Sequence, residues 1–200
     1  MRLFVVVRHA ESTLNLERRG NGDPNRDVPL TEAGEAEARL LGMQLAPLPL
    51  DACVHTRFPR TRQTAEIALA ERVDVPFIVE PLLDDVDIGE FDGEPIESYR
   101  AWKHGHARDV PFPDGESLDD AARRYAAAYR KLLEGPHRCV LVAAHEIPLR
   151  YALNGAGGSD SLDGPVHEIG NAIPFLFDED AFERAVEGIE RIVGRGTVPA

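Results

Sequence analysis

Three short apolar runs in this chain end in cationic or titratable side chains. VVVRHAE delivers Arg8 and His9, CVHTRFPR delivers His55, Arg57 and Arg60, and VLVAAHE delivers His145. In open parallel sheets, ligands bind beyond the carboxyl ends of the strands. One histidine at such an end is ordinarily surface or packing, whereas three endings on one sheet edge point to a bound ligand. Arginine's planar fork of donors matches phosphate oxygens. Phosphoryl transfer spreads charge over three equatorial oxygens, so its catalysis is mostly positioning and electrostatic stabilisation. A neutral imidazole can accept the phosphoryl group. A second, protonated imidazole can steady the oxygens, and a carboxylic acid must protonate the departing alkoxide. Metal hydrolysis is the rival chemistry. Arginines beside the candidate ligands oppose a cation, and neither HExxH nor a paired-aspartate motif is present. His104 and His106 in KHGHARD form a bare pair in a loop, so no metal site is assigned.

The elements that must position these groups follow from the apolar pattern. Residues 3–7, 52–55, 77–79, the run RCVLVAAH and residues 173–177 read as strands. A helix begins at Thr31, whose hydroxyl can cap free N–H groups, with an apolar stripe of Ala33, Ala36, Leu40, Leu41 and Leu45 ending before Pro47. PRTRQTAEIALAER is a second helix, with Pro59 suited to its first turn. A short helix is expected near residues 96–103, and Ser117 with Asp120 opens another over LDDAARRYAAAYRKLL. EIPLRYALNG reads as a helix closed by Gly155, and residues 178–193 as a last helix. This alternation predicts an α/β fold, a three-layer α/β/α sandwich with a mostly parallel central sheet. The 200 residues suit one domain over 1–200, with a loop-rich insertion at about residues 84–116.

Composition narrows the setting. Hydrophobic content of 43% with 28% charged residues is ordinary for a globular protein. No apolar run reaches the roughly 18 residues of a membrane span. The N-terminal apolar run is five residues long with no small-residue cleavage site after it, so it reads as a strand rather than a secretory signal. A formal net charge of −13 argues against nucleic-acid and acidic-membrane partners, and any anion site must be built locally. Cys53 and Cys139 lie in apolar runs and read as buried free thiols of a reducing, cytoplasmic compartment.

Six segments carry a family resemblance. RHAESTLN resembles an Arg-His-Gly-Glu-Ser opening with a later Asn, and DVPLTEAGEAEA a Leu-Thr-x-x-Gly segment. HTRFPRTRQTA is similar to Ser-x-Leu-x-Arg-Ala-x-Gln-Thr-Ala, and LDDVDIGEFDG to Leu-x-Glu-x-x-x-Gly-x-x-x-Gly. FPDGESLDDAARR matches a Pro-x-Gly-Glu-Ser element, and VLVAAHEIPLR holds the second histidine. In this order, from residue 8 to about residue 171, they resemble the histidine phosphatase superfamily, the phosphoglycerate mutase-like phosphatases. The resemblance implies that His9 accepts the phosphoryl group and that Arg8, Asn15, Arg60 and His145 hold it. It places the proton donor at Asp85, with Asp84 and Asp87 as local alternatives. It implies no cofactor, no metal, and a phosphorylated small molecule as substrate.

The departures are specific. Ala10 and Glu146 replace the glycines after the two histidines, and Asp85 stands where the family usually has Glu. Ala10 is tolerable if its φ is negative. Glu146 in the pocket would oppose a phosphate, and as a first-turn helix residue it is expected to face solvent. Asp85 is intrinsically more acidic than Glu, about 3.9 against 4.3, and must be raised to donate near neutral pH. Helical spacing from Arg60 assigns Arg57 to substrate contact and turns Arg62 elsewhere. His55 can face the pocket or pack, and Trp102 reads as a packing anchor. Hydrolysis is favoured over mutase chemistry because the family's mutases carry Asn-Glu-Arg-His at the acid position, where this chain reads DDVDIG. A non-catalytic relative that binds a phosphorylated ligand or a protein is the third reading. Substrate identity and oligomeric state stay open.

Overall fold

Strands β1 (Leu3–Arg8), β2 (Ala52–His55), β3 (Phe77–Val79), β4 (Cys139–Ala144) and β5 (Pro174–Asp178) form one sheet in the computed structural model, which describes residues 2–195. Their order is β3-β2-β4-β1-β5. The first four run parallel, and β5 closes one edge antiparallel to β1. Helices α1 (Thr13–Leu16), α2 (Glu32–Leu45), α3 (Pro59–Ala68), α4 (Ile96–Gly105), α5 (Leu118–Glu134), α6 (Glu146–Ala156) and α7 (Glu179–Arg195) complete it.

Successive side chains of a strand point to opposite faces. The continuous apolar runs of β1 and β4 therefore feed two cores. Phe4, Val6, Val140 and Val142 pack with α5, α6 and α7, whereas Val5, Val7, Leu141 and Ala143 pack with α2 and α3. The expected three-layer α/β/α sandwich results. Cys53 and Cys139 are both buried and free, as their apolar settings implied. Thr31 and Ser117 cap as expected, accepting from the Gly34 and Asp120 amides at 3.0 Å each.

Three local expectations need correction. The buried stripe of α2 is Gly34, Ala38, Leu41 and Leu45, while Ala33, Ala36 and Leu40 are exposed, Leu40 by 54%. The helix turns this way because Gly34 lies against the loop after β1: a Cβ there would fall 2.0 Å from the Glu11 carbonyl oxygen. The last strand starts at Pro174, since pairing of Val7 with Pro174 and Leu3 with Asp178 sets its register. Gly155 does not end α6, which continues through Ala156. Its role is contact. A Cβ at 155 would meet the Ala185 carbonyl oxygen at 2.6 Å, and one at Gly188 would meet the Gly155 backbone at the same distance.

The two segments flanking the site without clear periodicity, 16–28 and 84–116, bind each other. The Gly20 amide donates to the Glu94 carbonyl and the Gly93 amide to the Gly20 carbonyl, both at 2.9 Å. The Asp92 carboxylate accepts from the Gly22 amide at 2.8 Å and pairs with Arg26 at 2.6 Å.

Because α6 and α7 touch backbone to backbone at Gly155, Gly155→Ala should destabilise the fold by about 1–2 kcal/mol, outweighing a helix-propensity gain of about 1 kcal/mol. Urea denaturation reads this, and an unchanged midpoint would show that α7 yields freely.

Candidate active site

β1 and β4 are neighbours with Arg8 opposite Ala144, so the residues that follow leave the sheet together. The His9 amide donates to the Ala144 carbonyl at 2.9 Å, and the His9 and His145 ring centroids lie 5.4 Å apart. Arg60, the second residue of α3, enters between them and is 3% exposed. Its Nε donates to His9 Nε2 at 2.9 Å, and a terminal nitrogen reaches His145 Nδ1 and Asp85 Oδ2, each at 3.1 Å. The Phe58 ring lies under the guanidinium at 4.3 Å.

A guanidinium only donates, so both ring nitrogens facing it carry lone pairs. The partners on the far side fix the tautomers accordingly. His9 Nδ1–H donates to its neighbour Ala10's carbonyl at 2.7 Å, and His145 Nε2–H to Thr56 Oγ1 at 3.0 Å. Burial, then the charges of Arg60 and Arg8, hold His9 well below the ordinary imidazole range. Burial, then Arg60, does the same to His145. The protonated second imidazole expected for oxygen stabilisation is thus neutral in the free site. An anion placed between the rings favours its protonation.

Asp85 follows the 3₁₀ turn Pro81–Leu83, and its side chain keeps 24% exposure. Burial raises its carboxyl above the usual range, opposed chiefly by Arg60. Its loop is clamped from α5. Arg124 donates to the carbonyls of Leu82, Asp84 and Asp85 at 3.0, 2.6 and 2.8 Å, and pairs with Glu116. Of the three candidate donors, only Asp85 lines the cavity. Asp84 is buried under Arg57, and Asp87 accepts from the Gly89 amide at 3.0 Å.

Arg57, assigned to substrate contact from sequence, does not line the cavity. Residue 57 precedes α3, so helical spacing does not apply to it. Asp84 takes its amide at 2.9 Å and its Nε at 2.5 Å, leaving a side chain 56% exposed outside the cavity. His55 is buried, bonded to the Thr56 carbonyl at 2.8 Å and tilted against Phe77, so it packs. Trp102 packs on Phe112 at 4.5 Å and stacks on His106 at 4.0 Å, which separates His106 from the cavity-lining His104. Among the described residues, no three His, Cys, Asp or Glu side chains group as a metal requires.

Asn15 lines the cavity, with its Oδ1 accepting from the Ser12 amide and hydroxyl at 3.1 and 3.0 Å. That leaves its Nδ2 as the donor for a ligand. Ala10 is buried and outside the left-handed region, so its methyl is accommodated. Glu146 corrects the solvent-facing expectation. It occupies the first position of α6, but its carboxylate pairs with Arg8 at 3.0 Å and lies 3.6 Å from Arg150.

Several supporting residues carried no decisive mark in the sequence. Thr64 accepts from the Ala10 amide at 2.9 Å and donates to the Arg60 carbonyl at 2.7 Å, tying the loop of His9 to the first turn of α3 that holds Arg60. Its place one turn after Arg60 is the signal that could have found it. Asn21 accepts from Arg60, and Asn171 donates to the His9 carbonyl at 2.8 Å. Both come from segments without periodicity, and Arg124 reads in sequence as an ordinary solvated helix charge.

The cavity has a volume of about 520 Å³. Six arginine and lysine side chains line it against four carboxylates, so an anion site is built locally in a chain of net charge −13. The outer wall takes Arg100 and Lys103 from α4 and Arg150 from α6. Among the described residues, no helix is long and apolar enough to cross a membrane.

Relatives share this arrangement of elements. Residues 4–175 match the profile of the histidine phosphatase superfamily (branch 1). The chain is 33% identical over 192 residues to the 2,3-bisphosphoglycerate-dependent phosphoglycerate mutase of Methylobacterium sp. (strain 4-46), covering 88% of this chain and 90% of that one. The alpha-ribazole phosphatase from Shigella flexneri superposes with a TM-score of 0.75 at 21% identity, covering 88% and 90% of the two chains. A mycobacterial glucosyl-3-phosphoglycerate phosphatase gives 0.74 at 22% identity, covering 89% and 93%. The last two likenesses concern the fold. This chain belongs to the histidine phosphatase superfamily.

Arg60→Lys retains the charge but cannot bond both imidazoles and Asp85 together. It should lower kcat/KM on a phosphate ester by about 10²–10³-fold, the loss typical of a transition-state donor. Arg57→Ala, which removes a side chain held outside the cavity, should change it less than about 3-fold; a larger loss would return Arg57 to the site.

Proposed function

We propose that this chain hydrolyses phosphate monoesters through a phosphohistidine on His9, without a metal. The convergence of His9 Nε2, His145 Nδ1 and Asp85 Oδ2 on one arginine carries the assignment. His9 Nε2 attacks phosphorus while its Nδ1–H stays on the Ala10 carbonyl, which orients the ring. Arg8, Asn15, Arg60 and His145 hold the phosphoryl oxygens. Asp85 gives its proton to the leaving oxygen as the P–O bond breaks. The resulting carboxylate then takes a proton from the water that attacks phosphohistidine, releasing phosphate and restoring His9.

The partial exposure of Asp85 supports the hydrolytic half-reaction, because water reaches the carboxylate that must activate it. The curated mutase relatives favour the other reading, in which the phosphoryl group returns to an organic acceptor. DDVDIG at the acid position supports hydrolysis. A cavity of about 520 Å³ with a cationic outer wall suits a small anionic ester rather than a nucleic acid. Two buried free thiols fit a reducing, cytoplasmic setting.

The pH dependence follows from the two opposed shifts. At ordinary values a carboxyl ionises near about 3.9 and an imidazole stays protonated up to about 6.5, so acid and nucleophile exclude each other. Burial lowers His9 and raises Asp85, which draws the two ionisations together and enlarges the fraction with neutral His9 and protonated Asp85. kcat/KM should therefore persist below pH 6.5 and fall on the alkaline side as Asp85 loses its proton. Asp85→Asn should abolish that alkaline limb and cost about 10²–10³-fold on an alkyl phosphate. The loss should be smaller on an aryl phosphate, whose leaving group needs no proton. Equal losses on both esters would move the donor elsewhere.

Aryl phosphate hydrolysis should survive chelator and disappear in His9→Ala. Rapid alkaline quenching should trap an acid-labile phosphoryl group in wild type alone. Activity lost to chelator, or retained by His9→Ala, overturns the mechanism. Phosphate binding without turnover would favour a non-catalytic relative, and transfer to an added phosphoglycerate in place of water would favour the mutase.

A further inference from the structure

Arg8 is the phosphate-binding side chain whose donors are already partly occupied. One terminal nitrogen donates to the Ile169 carbonyl at 2.7 Å and pairs with Glu146 Oε2 at 3.0 Å. Its buried Nε has no hydrogen-bond partner among the described residues. A carboxylate thus sits on Arg8 from the cavity side, among the groups that would hold a phosphoryl oxygen. Arg60 differs: its partners are the two imidazoles, Asn21 and the proton donor, all parts of the same centre.

Glu146 also has a second place to go. Its other oxygen, Oε1, lies 3.6 Å from Arg150, one turn along α6. The Arg150 side chain is only 9% exposed, is held by Asp163 at 2.8 Å and by the His167 carbonyl at 3.2 Å, and has a buried Nε without a partner. A rotation of the Glu146 side chain transfers its carboxylate from Arg8 to Arg150 without moving the helix. Glycine at 146 could do none of this.

We infer that Glu146 is a resident anion of the phosphoryl site, which an incoming phosphoryl group must displace from Arg8 toward Arg150. This rests on the reading of the site as a phosphoryl site. Two charges that compete for one guanidinium weaken binding of the phosphoryl group itself. The deficit falls on every ligand, but an ester can offset it through its leaving group, using cations of the outer wall such as Arg100 and Lys103. Free phosphate has no such means. Orthophosphate, the product, is a weak inhibitor.

The test is the affinity for orthophosphate, measured by calorimetry near neutral pH and as product inhibition of aryl phosphate hydrolysis. Glu146→Gln keeps shape and removes the charge. It should bind orthophosphate about tenfold more tightly, equivalent to about 1.4 kcal/mol, and lower KM for the aryl ester in the same direction. Glu168→Gln removes a carboxylate exposed on the rim of the same cavity and should change the affinity less than twofold. Thermal melts establish that each variant is folded, and Glu146→Ala serves if Gln disturbs α6. Unchanged or weaker phosphate binding in folded Glu146→Gln overturns the inference, since Glu146 then orders Arg8 rather than competing for it. Equal tightening in Glu168→Gln overturns it as a general charge effect. Tighter phosphate binding by Glu146→Gln with no hydrolysis by any chain sustains the inference and removes the hydrolase reading. Hydrolysis with unmoved affinity does the reverse, and no phosphate binding by any chain removes both.

Discussion

A buried guanidinium that can only donate organises this protein's site. Arg60 faces a nitrogen of His9, a nitrogen of His145 and an oxygen of Asp85 from one position. Burying such a charge is unfavourable unless every donor is met, and here the partners are two imidazoles and a carboxyl. Because the arginine cannot accept, both imidazoles must present lone pairs, which on the proposed reading suits His9 Nε2 to attack. Burial, and then the same charge, hold both rings below the ordinary imidazole range. Much of the surrounding structure holds this geometry: Thr64 ties the α3 backbone to the loop of His9, and Thr56 fixes the far nitrogen of His145.

The acid is positioned by different means. Asp85 lies on a segment without regular structure, and its precision comes from Arg124 on α5, which gathers the carbonyls of Leu82, Asp84 and Asp85. Charge on that helix therefore determines where the Asp85 carboxyl stands on the adjoining loop. The neighbouring Asp84 is drawn away by Arg57, which separates two adjacent carboxylates into one structural and one facing the cavity. Two loops that look unstructured in sequence become rigid by bonding each other through Gly20, Gly93 and Asp92.

The chain's overall acidity and its anion-binding cavity are compatible because field strength inside a cleft depends on the nearest charges. Five arginines and one lysine line the cavity beside four carboxylates, while most of the chain's carboxylates lie elsewhere. Glu146 breaks that division. It brings a carboxylate to Arg8, whose buried Nε has no hydrogen-bond partner among the described residues.

The layered fold was legible in the order of apolar runs, because strands buried on both faces leave uninterrupted β-branched stretches such as VVV and VLV. So were His9 and His145, at the ends of apolar strand runs, whereas Arg60 was singled out from its neighbours Arg57 and Arg62 through resemblance of its segment. Asp85 was legible only through resemblance of its segment, since nothing local distinguishes it from Asp84 and Asp87. The tertiary structure decided what depends on partners distant in sequence. Protonation of the imidazoles follows from an arginine 51 and 85 positions away from its two ring contacts. The direction of Glu146 follows from Arg8, on a strand that only sheet pairing brings beside it. Arg57 is drawn to Asp84 for the same reason: periodicity describes which face of a helix a residue occupies, but it is silent about a residue before the helix, where the nearest buried carboxylate prevails. Gly155 looked like a helix end because glycine so often serves as one, and only the packing of α7 shows that it is a point of contact.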